Sequence, residues 1–123
     1  MGVLNSSLWN GATCEMVAGK FDPDEILRRL IRGEDTISLF MAVPTIYNNL
    51  AKHLLHGSHE FDDLEEVKEN LSKLRLMVSG SAALPVTQMD EWLQLSGQTL
   101  LERFGMTEIL MALSNPYRPI DQR

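Results

Sequence analysis

A hydroxyl and a carboxylate stand side by side in the segment Gly105-Met106-Thr107-Glu108, directly after a predicted strand. Such a pair can hold a phosphate oxygen and a magnesium ion together, because hard cations prefer oxygen ligands. Thr107 and Glu108 would also be well placed to cap a helix that begins there. The spacing alone leaves a phosphate site and a helix cap as alternatives.

A second segment, Ser79-Gly80-Ser81-Ala82-Ala83-Leu84-Pro85, consists mainly of small residues. Gly80 lacks the Cβ that would keep a flat ligand away from the backbone. A tight turn between a strand and a helix uses the same residue types for structural reasons. By itself, the segment favours that structural interpretation.

Strands and helices alternate along the chain and must position these two segments. Runs of apolar and β-branched residues predict strands at 12–17, 36–43, 74–79 and 99–103. Apolar residues at helical spacing predict helices that begin at Asp22-Pro23, at Pro44, near Leu64 and at Val86, with ends at Gly33, Gly57 and Gly97. This order predicts an α/β fold with a mostly parallel sheet.

The loops that leave the carboxyl ends of parallel strands are where such sheets bind ligands. The segments 79–85 and 104–108 are two loops of that kind. We therefore expect them to form neighbouring rims of one pocket.

The composition is that of one globular domain. Its 123 residues are 44% apolar and 23% charged, with a net charge of −6. This charge argues against nucleic acid as a partner, since phosphates would be repelled. No apolar run is long enough to span a membrane, and the first residues lack a secretory signal. They match the loose N-myristoylation pattern, but no basic patch accompanies it.

His53, His56 and His59 offer three imidazoles at steps of three residues. Zinc could use such ligands, but Gly57 is predicted to end the helix before His59, which favours solvated side chains at a helix end. The single Cys14 cannot form an internal disulfide, fits a reducing compartment and is interpreted as a small core residue. We expect an intracellular protein, cytoplasmic by default and mitochondrial if a longer parent carries that signal.

Taken together, the two segments resemble the paired core motifs of the adenylate-forming superfamily, which includes acyl-CoA synthetases, adenylation domains and luciferases. The second motif is Glu102-Arg103-Phe104-Gly105-Met106-Thr107-Glu108. Four other segments are most similar to the malonyl-CoA synthetase branch: Leu8-Trp9-Asn10-Gly11-Ala12-Thr13, Lys20-Phe21-Asp22, Met41-Ala42-Val43-Pro44-Thr45-Ile46-Tyr47 and Ser114-Asn115-Pro116-Tyr117. Several segments in one order are more specific than one short motif. The resemblance identifies residues 1–123 as part of an AMP-binding domain.

The resemblance implies a ligase of fatty acid metabolism that forms carbon–sulfur bonds. Enzymes of this superfamily join a carboxylate to ATP, release pyrophosphate, and let the thiol of coenzyme A attack the acyl adenylate. ATP, Mg²⁺ and coenzyme A are therefore the implied cofactors and substrates. The branch implies malonate or methylmalonate as the acid.

Individual roles follow from the same resemblance. Gly80, Ser81 and Ala82 would lie against the adenine and the acyl group, and Ser79 would border the substrate. Phe104 stands where the family usually has a tyrosine, so stacking is retained while one polar contact is lost. Gly105 would lie in the nucleotide site.

The implied catalytic residues are Thr107 and Glu108. Thr107 would donate to a phosphate oxygen, and Glu108 would help to hold Mg²⁺, whose charge offsets negative charge on the phosphates. Arg103 stands where many relatives have a small residue, and its guanidinium would bind the second carboxylate of a dicarboxylic substrate. The alternative for Arg103 is a weak surface ion pair with Glu102 or a nearby acid.

Several parts of the family pattern do not occur in these 123 residues: the Ser/Thr/Gly-rich phosphate loop, the ribose-binding aspartate and the small domain with its catalytic lysine. We expect the chain to be a fragment of the large N-terminal domain that has no turnover without the missing segments of its parent enzyme. The alternative is a non-catalytic α/β protein that binds a nucleotide or a partner chain. That alternative predicts a monodisperse domain, whereas the fragment hypothesis predicts aggregation.

Overall fold

The computed structural model describes residues 2–32, 37–57 and 60–123. Its helices and strands follow the order α1 (Gly2–Trp9), α2 (Pro23–Arg32), β1 (Leu39–Ala42), α3 (Pro44–His56), α4 (Leu64–Ser72), β2 (Leu76–Gly80), α5 (Val86–Ser96), β3 (Leu101–Met106) and β4 (Leu110–Ser114), before a short 3-10 helix, Ile120–Gln122.

The four strands form one sheet in the order β1-β2-β3-β4. The first three strands are parallel, and β4 returns antiparallel to β3 as a hairpin. The α/β class and the mostly parallel sheet are therefore confirmed. The antiparallel strand β4 was not predicted from the sequence.

The main core lies between the sheet and helices α2 to α5. Its largest fully buried side chains include Tyr47, Trp92, Leu27, Leu50 and Met77. The rings of Tyr47 and Trp92 meet edge to face with centroids 5.1 Å apart. A smaller apolar cluster contains Leu39, Met41, Leu76, Val78 and Leu101. Because successive strand residues point to opposite faces, this cluster marks the other face of the sheet.

The helix ends follow local signals. The Asp22 carboxylate accepts hydrogen bonds from the backbone of Asp24 and Glu25 at the start of α2. Pro44 occupies the first turn of α3, and Gly57 follows its last residue. Gly97 ends α5 with a φ of 69°, where glycine carries no Cβ penalty. The predicted stop of α2 at Gly33 lies outside the described residues.

The predicted strand at 12–17 is wrong. The structure shows irregular chain there, and most of its side chains are exposed. The β-prone residues do not form a strand because the segment pairs with none of the strands of the sheet. The preceding helix, α1, was also missed, since its sequence lacks an amphipathic pattern.

Three strand boundaries also differ from expectation. The strand predicted at 74–79 is observed at Leu76–Gly80, so Gly80 ends the strand rather than lying in the turn. The predicted strand at 99–103 begins at Leu101 and continues to Met106, so Phe104 and Gly105 belong to β3 rather than to a loop. The strand predicted at 36–43 is described at Leu39–Ala42, and Thr36 lies outside the described residues. Within the described residues, no helix is long and apolar enough to cross a membrane.

Candidate functional site

The two candidate segments lie on neighbouring parallel strands. Ser79 of β2 is in register with Glu102 of β3, and Gly80 is in register with Arg103. Both strands end at the same edge of the sheet, so segments 79–85 and 104–108 leave from one edge. The strands that carry the two segments are therefore adjacent, whereas a pocket shared by the two segments stays a prediction.

Glu102 links the two segments directly. Its carboxylate Oε1 accepts a hydrogen bond from the backbone N–H of Leu84, with a distance of 3.1 Å. Leu84 itself is buried, so this contact attaches the loop after β2 to the neighbouring strand. Sequence reasoning missed this role, because nothing local in the sequence shows that a loop 18 residues earlier reaches Glu102.

Gly80 and Ser81 shape the first rim. A Cβ at Gly80 would lie 3.4 Å from the carbonyl oxygen of Arg103, which is ordinary contact, so packing within the chain does not demand glycine there. Ser81 has a φ of 67°, a conformation that non-glycine residues rarely adopt. Strained residues of this kind cluster at ligand sites. Ser81 and Ala82 are exposed and accessible to a ligand.

Ser79 contributes a buried hydroxyl. The residue has no exposed surface, and its Oγ has no hydrogen-bond partner among the described residues. Buried polar atoms are nearly always paired, which makes an orphaned hydroxyl at the end of β2 notable. Its position beside Glu102 places it at the same edge.

Phe104 and Gly105 form the second rim from within β3. The Phe104 side chain is 55% exposed, so its ring has a free face for stacking. A Cβ at Gly105 would overlap the carbonyl oxygen of Leu110 in the facing strand. The pairing of β3 with β4 shifts register between Phe104 and Gly105. Close approach of the two strands is therefore a structural reason for glycine at this position.

Thr107 and Glu108 lie in the turn that joins β3 to β4. The turn closes with a hydrogen bond from the N–H of Ile109 to the carbonyl of Met106, at 3.2 Å. Both side chains are exposed. The alternative that they cap a helix is wrong, because a strand follows the turn.

Arg103 is half-buried, and its Nε has no hydrogen-bond partner among the described residues. The alternative, an ion pair of Arg103 with Glu102 or a nearby acid, is not found among the ion pairs of the described residues, and Glu102 Oε1 accepts from Leu84. Alternation along β3 places Arg103 and Glu102 on opposite faces of the sheet. An unpaired guanidinium beside the ends of β2 and β3 is able to receive an anion.

Comparison with known proteins decides the family. The family described as "AMP-binding enzyme" matches residues 1–123. The chain belongs to the AMP-binding enzyme family. It is 47% identical over 122 residues to the human malonate–CoA ligase ACSF3, mitochondrial, and 45% identical over 84 residues to the malonate–CoA ligase of Arabidopsis thaliana. These matches cover 94% and 68% of this chain, and 21% and 14% of the relatives.

A solved structure gives the same result. The chain matches the ATP-bound MatB from Rhodopseudomonas palustris with a TM-score of 0.73 and 35% identity, over 94% of this chain and 20% of that one. This AMP-binding chain thus spans about a fifth of the length of the human relative and of the MatB chain. The suspected superfamily and the malonyl-CoA synthetase resemblance are confirmed.

His53 and His56, the two described histidines of this AMP-binding chain, belong to no cluster of metal-binding side chains among the described residues. His53 Nε2 lies 2.7 Å from the Asp24 carboxylate, which links α3 to α2. In the described part of the chain, no three metal-binding side chains cluster. His59 lies outside the described residues. Cys14, expected in the core, is only partly buried within an exposed segment.

Two shallow grooves lie away from the shared edge. One, of about 570 Å³, is bordered by the acidic side chains of α4, and the other, of about 360 Å³, is bordered by Phe21, Lys52 and His56. Neither groove includes a residue of 79–85 or 102–108. These two grooves are therefore separate from the candidate site at the ends of β2 and β3.

Proposed function

We propose that this chain supplies one edge of the ATP and acyl pocket of an acid–thiol ligase, which adenylates a small acid and passes the acyl group to coenzyme A. The observation that carries the proposal is the register of β2 and β3, which brings 79–85 and 102–108 to one edge. The printed names of the relatives, malonate–CoA ligases among them, support the reaction class.

The nucleotide would lie across the two rims. Gly80, Ser81 and Ala82 offer backbone without large side chains in its path, and the exposed ring of Phe104 offers a stacking face. Gly105 keeps β3 and β4 close enough for the turn to hold its position. The Thr107 hydroxyl would donate to a phosphate oxygen.

Glu108 fits a magnesium site. It is an exposed carboxylate next to Thr107 and has no ion pair with any other described residue. Mg²⁺ is commonly held by one or two carboxylates together with substrate phosphates and water. The ion would neutralise charge on the phosphates, while Thr107 and Glu108 fix where the triphosphate lies.

Arg103 would select the acid. A guanidinium without a carboxylate partner in the described chain can bind the distal carboxylate of malonate or methylmalonate through two parallel hydrogen bonds. Ser79 is in register with Glu102 and therefore lies on the opposite face of the sheet from Arg103, which argues against contact of both side chains with one acid. A solved relative carries methylmalonyl-CoA and AMP, at 34% identity and a TM-score of 0.64.

We further infer that residues 1–123 alone do not turn over substrate. Positioning and charge neutralisation of the phosphates supply most of the rate, and the family's phosphate loop and catalytic lysine, which provide them, do not occur in these residues. A thioester assay with ATP, Mg²⁺, malonate and coenzyme A tests this. The isolated chain is expected to form thioester no faster than a reaction without protein. Robust turnover by the isolated chain would contradict the fragment hypothesis.

A transplant tests the roles of the residues. Residues 1–123 replace the matching segment of the human relative, and malonate activation is measured by pyrophosphate release. The transplant is expected to be active, and Arg103→Ala to lower kcat/KM for malonate roughly a hundredfold through loss of a bidentate ion pair. Arg75→Ala, an exposed arginine before β2, serves as the control. An unaffected Arg103→Ala enzyme would refute the assignment.

The cellular compartment of the protein is part of the same proposal. The printed name of the human relative includes the word mitochondrial. We therefore favour mitochondria over the cytoplasmic default expected from the sequence. Fractionation of cells that produce the natural protein tests this.

A further inference from the structure

The loop after β2 is held in place from the neighbouring strand by one carboxylate. Glu102 Oε1 accepts from the N–H of Leu84 at 3.1 Å in a partly buried position. A carboxylate acceptor makes this a charge-assisted hydrogen bond, which is about twice as strong as a neutral one. The bond joins the two motifs that the proposed function treats as separate rims.

A second hydrogen bond holds the start of α5, the helix that directly follows this loop. Gln88 in the first turn of α5 donates from Nε2 to the carbonyl oxygen of Pro44, the first residue of α3. Segment 81–85 is therefore held between β3 on one side and the β1–α3 junction on the other. The first link reaches the loop itself, and the second reaches the helix that follows it.

The loop has little else to hold it. Ser81, Ala82 and Ala83 are exposed, while Leu84 is buried at the point where Glu102 binds. Ser81 also adopts a left-handed conformation, with a φ of 67°, that is unfavourable for a non-glycine residue. Without the Leu84 bond, relaxation of Ser81 would be expected to move the rim.

We propose that Glu102 is a positioning residue, whose carboxylate fixes loop 81–85 against β3 and thereby sets the affinity of the edge for a nucleotide. The inference rests on the proposed function, in which that loop contacts the nucleotide. Glu102 acts through the Leu84 N–H and does not itself need to touch the ligand. This role requires an oxygen acceptor at this position, and the negative charge strengthens the bond to it.

Two variants separate the acceptor from the charge. Glu102→Gln keeps a side-chain oxygen at the same position, whereas Glu102→Leu has similar bulk and no acceptor. Glu69→Leu on the exposed face of α4 is the matched control. Amide hydrogen exchange at Leu84, read by NMR on the full chain, reports the bond directly. Exchange at Leu101 reports whether the sheet stays intact.

The expected pattern is specific to positioning. Glu102→Leu should speed Leu84 exchange about tenfold to a hundredfold with Leu101 unchanged, and Glu102→Gln should restore most of the protection. Titration with MgATP of the transplant into the human relative should show a Kd roughly fivefold or more weaker for Glu102→Leu, and near the unsubstituted value for Glu102→Gln. Glu69→Leu should change neither quantity.

Different negative results would contradict the positioning role of Glu102 and the proposed function. Equal Leu84 exchange in the wild-type and Glu102→Leu chains would overturn the positioning role, as would faster exchange with an unchanged Kd. A loss of protection throughout the sheet in Glu102→Leu, with no rescue by Glu102→Gln, would also overturn it in favour of a purely structural role. Absence of MgATP binding by the transplant that carries the unchanged residues 1–123 would instead contradict the proposed function.

Discussion

At the scale of single residues, Tyr47 shows how one polar atom is accommodated in the core. Its side chain is fully buried, and its hydroxyl donates to the carbonyl oxygen of Val78 in β2 at 2.8 Å. Tyr47→Phe keeps the edge-to-face ring contacts but leaves that carbonyl with one bond fewer. We expect a loss of about 1 to 2 kcal/mol in unfolding free energy, measured by urea denaturation. Tyr117→Phe, at an exposed position, should cost almost nothing, and equal losses would contradict this account.

Burial also raises the pKa of the Tyr47 hydroxyl, despite the opposing effect of the Val78 hydrogen bond. The folded state therefore disfavours the phenolate relative to the unfolded state. The linked stability is fully present below the ordinary pKa of 10.0 and is lost as the pH rises above it. Unfolding free energies measured from neutral to alkaline pH should fall less steeply for Tyr47→Phe than for the wild type. Parallel curves would show that another group governs alkaline unfolding.

Glu60 at the surface has a pKa shifted in the opposite direction from that of Tyr47. A side-chain hydrogen bond from Arg28, supported by the charges of Arg28 and Arg32, lowers the pKa of Glu60 below its ordinary value of 4.5. A lowered pKa means that the linked stability is present above pH 4.5 and is lost as the pH falls through the folded-state value. Arg28→Gln should raise the Glu60 pKa, as read by NMR titration of its carboxyl carbon. An unmoved titration curve would contradict the pairing, and added salt should reduce the difference.

At the scale of elements, β4 begins with a residue whose backbone conformation is unfavourable for its residue type. Leu110 has a φ of 58° although its side chain is 77% exposed, so a strained backbone is not offset by burial. Leu110→Gly should stabilise the chain by roughly 0.5 kcal/mol, since relief of strain exceeds the entropy that glycine adds to the unfolded state. Leu113→Gly, at an exposed position in the extended part of β4, should instead destabilise it by about 1 kcal/mol. The same sign for both variants in thermal unfolding would refute the strain argument.

The elements that sequence predicted best are those with local signals. Asp22, Pro44 and Gly97 act within one turn of their own helix, so their types alone mark the helix ends. The segment 12–17 and strand β4 could not be judged in this way. Strand formation depends on a partner strand, which the first lacks among the described residues and the second finds in the adjacent β3. For the same reason, the adjacency of 79–85 and 102–108 was predictable from strand order, while the Glu102–Leu84 bond was not.

At the scale of the whole molecule, the β3–β4 hairpin exposes more apolar surface than a stable monomer usually tolerates. Phe104, Met106, Leu110 and Leu113 are each at least half exposed, and β4 carries no charged residue along the edge of the sheet. Edges of this kind pair with other chains unless charge or proline blocks them. The net charge of −6 opposes association, but its repulsion is screened at physiological salt.

We therefore expect the isolated chain to self-associate through this hairpin, as the fragment hypothesis requires, and to sediment as larger species at higher concentration. Leu113→Lys places a charge on the exposed edge and should shift the population towards monomer. Leu55→Lys, on the exposed side of α3, adds the same charge elsewhere and should have a smaller effect, which separates edge pairing from a change in net charge. A wild-type chain that stays monomeric at all concentrations would favour the independent binding protein over the fragment.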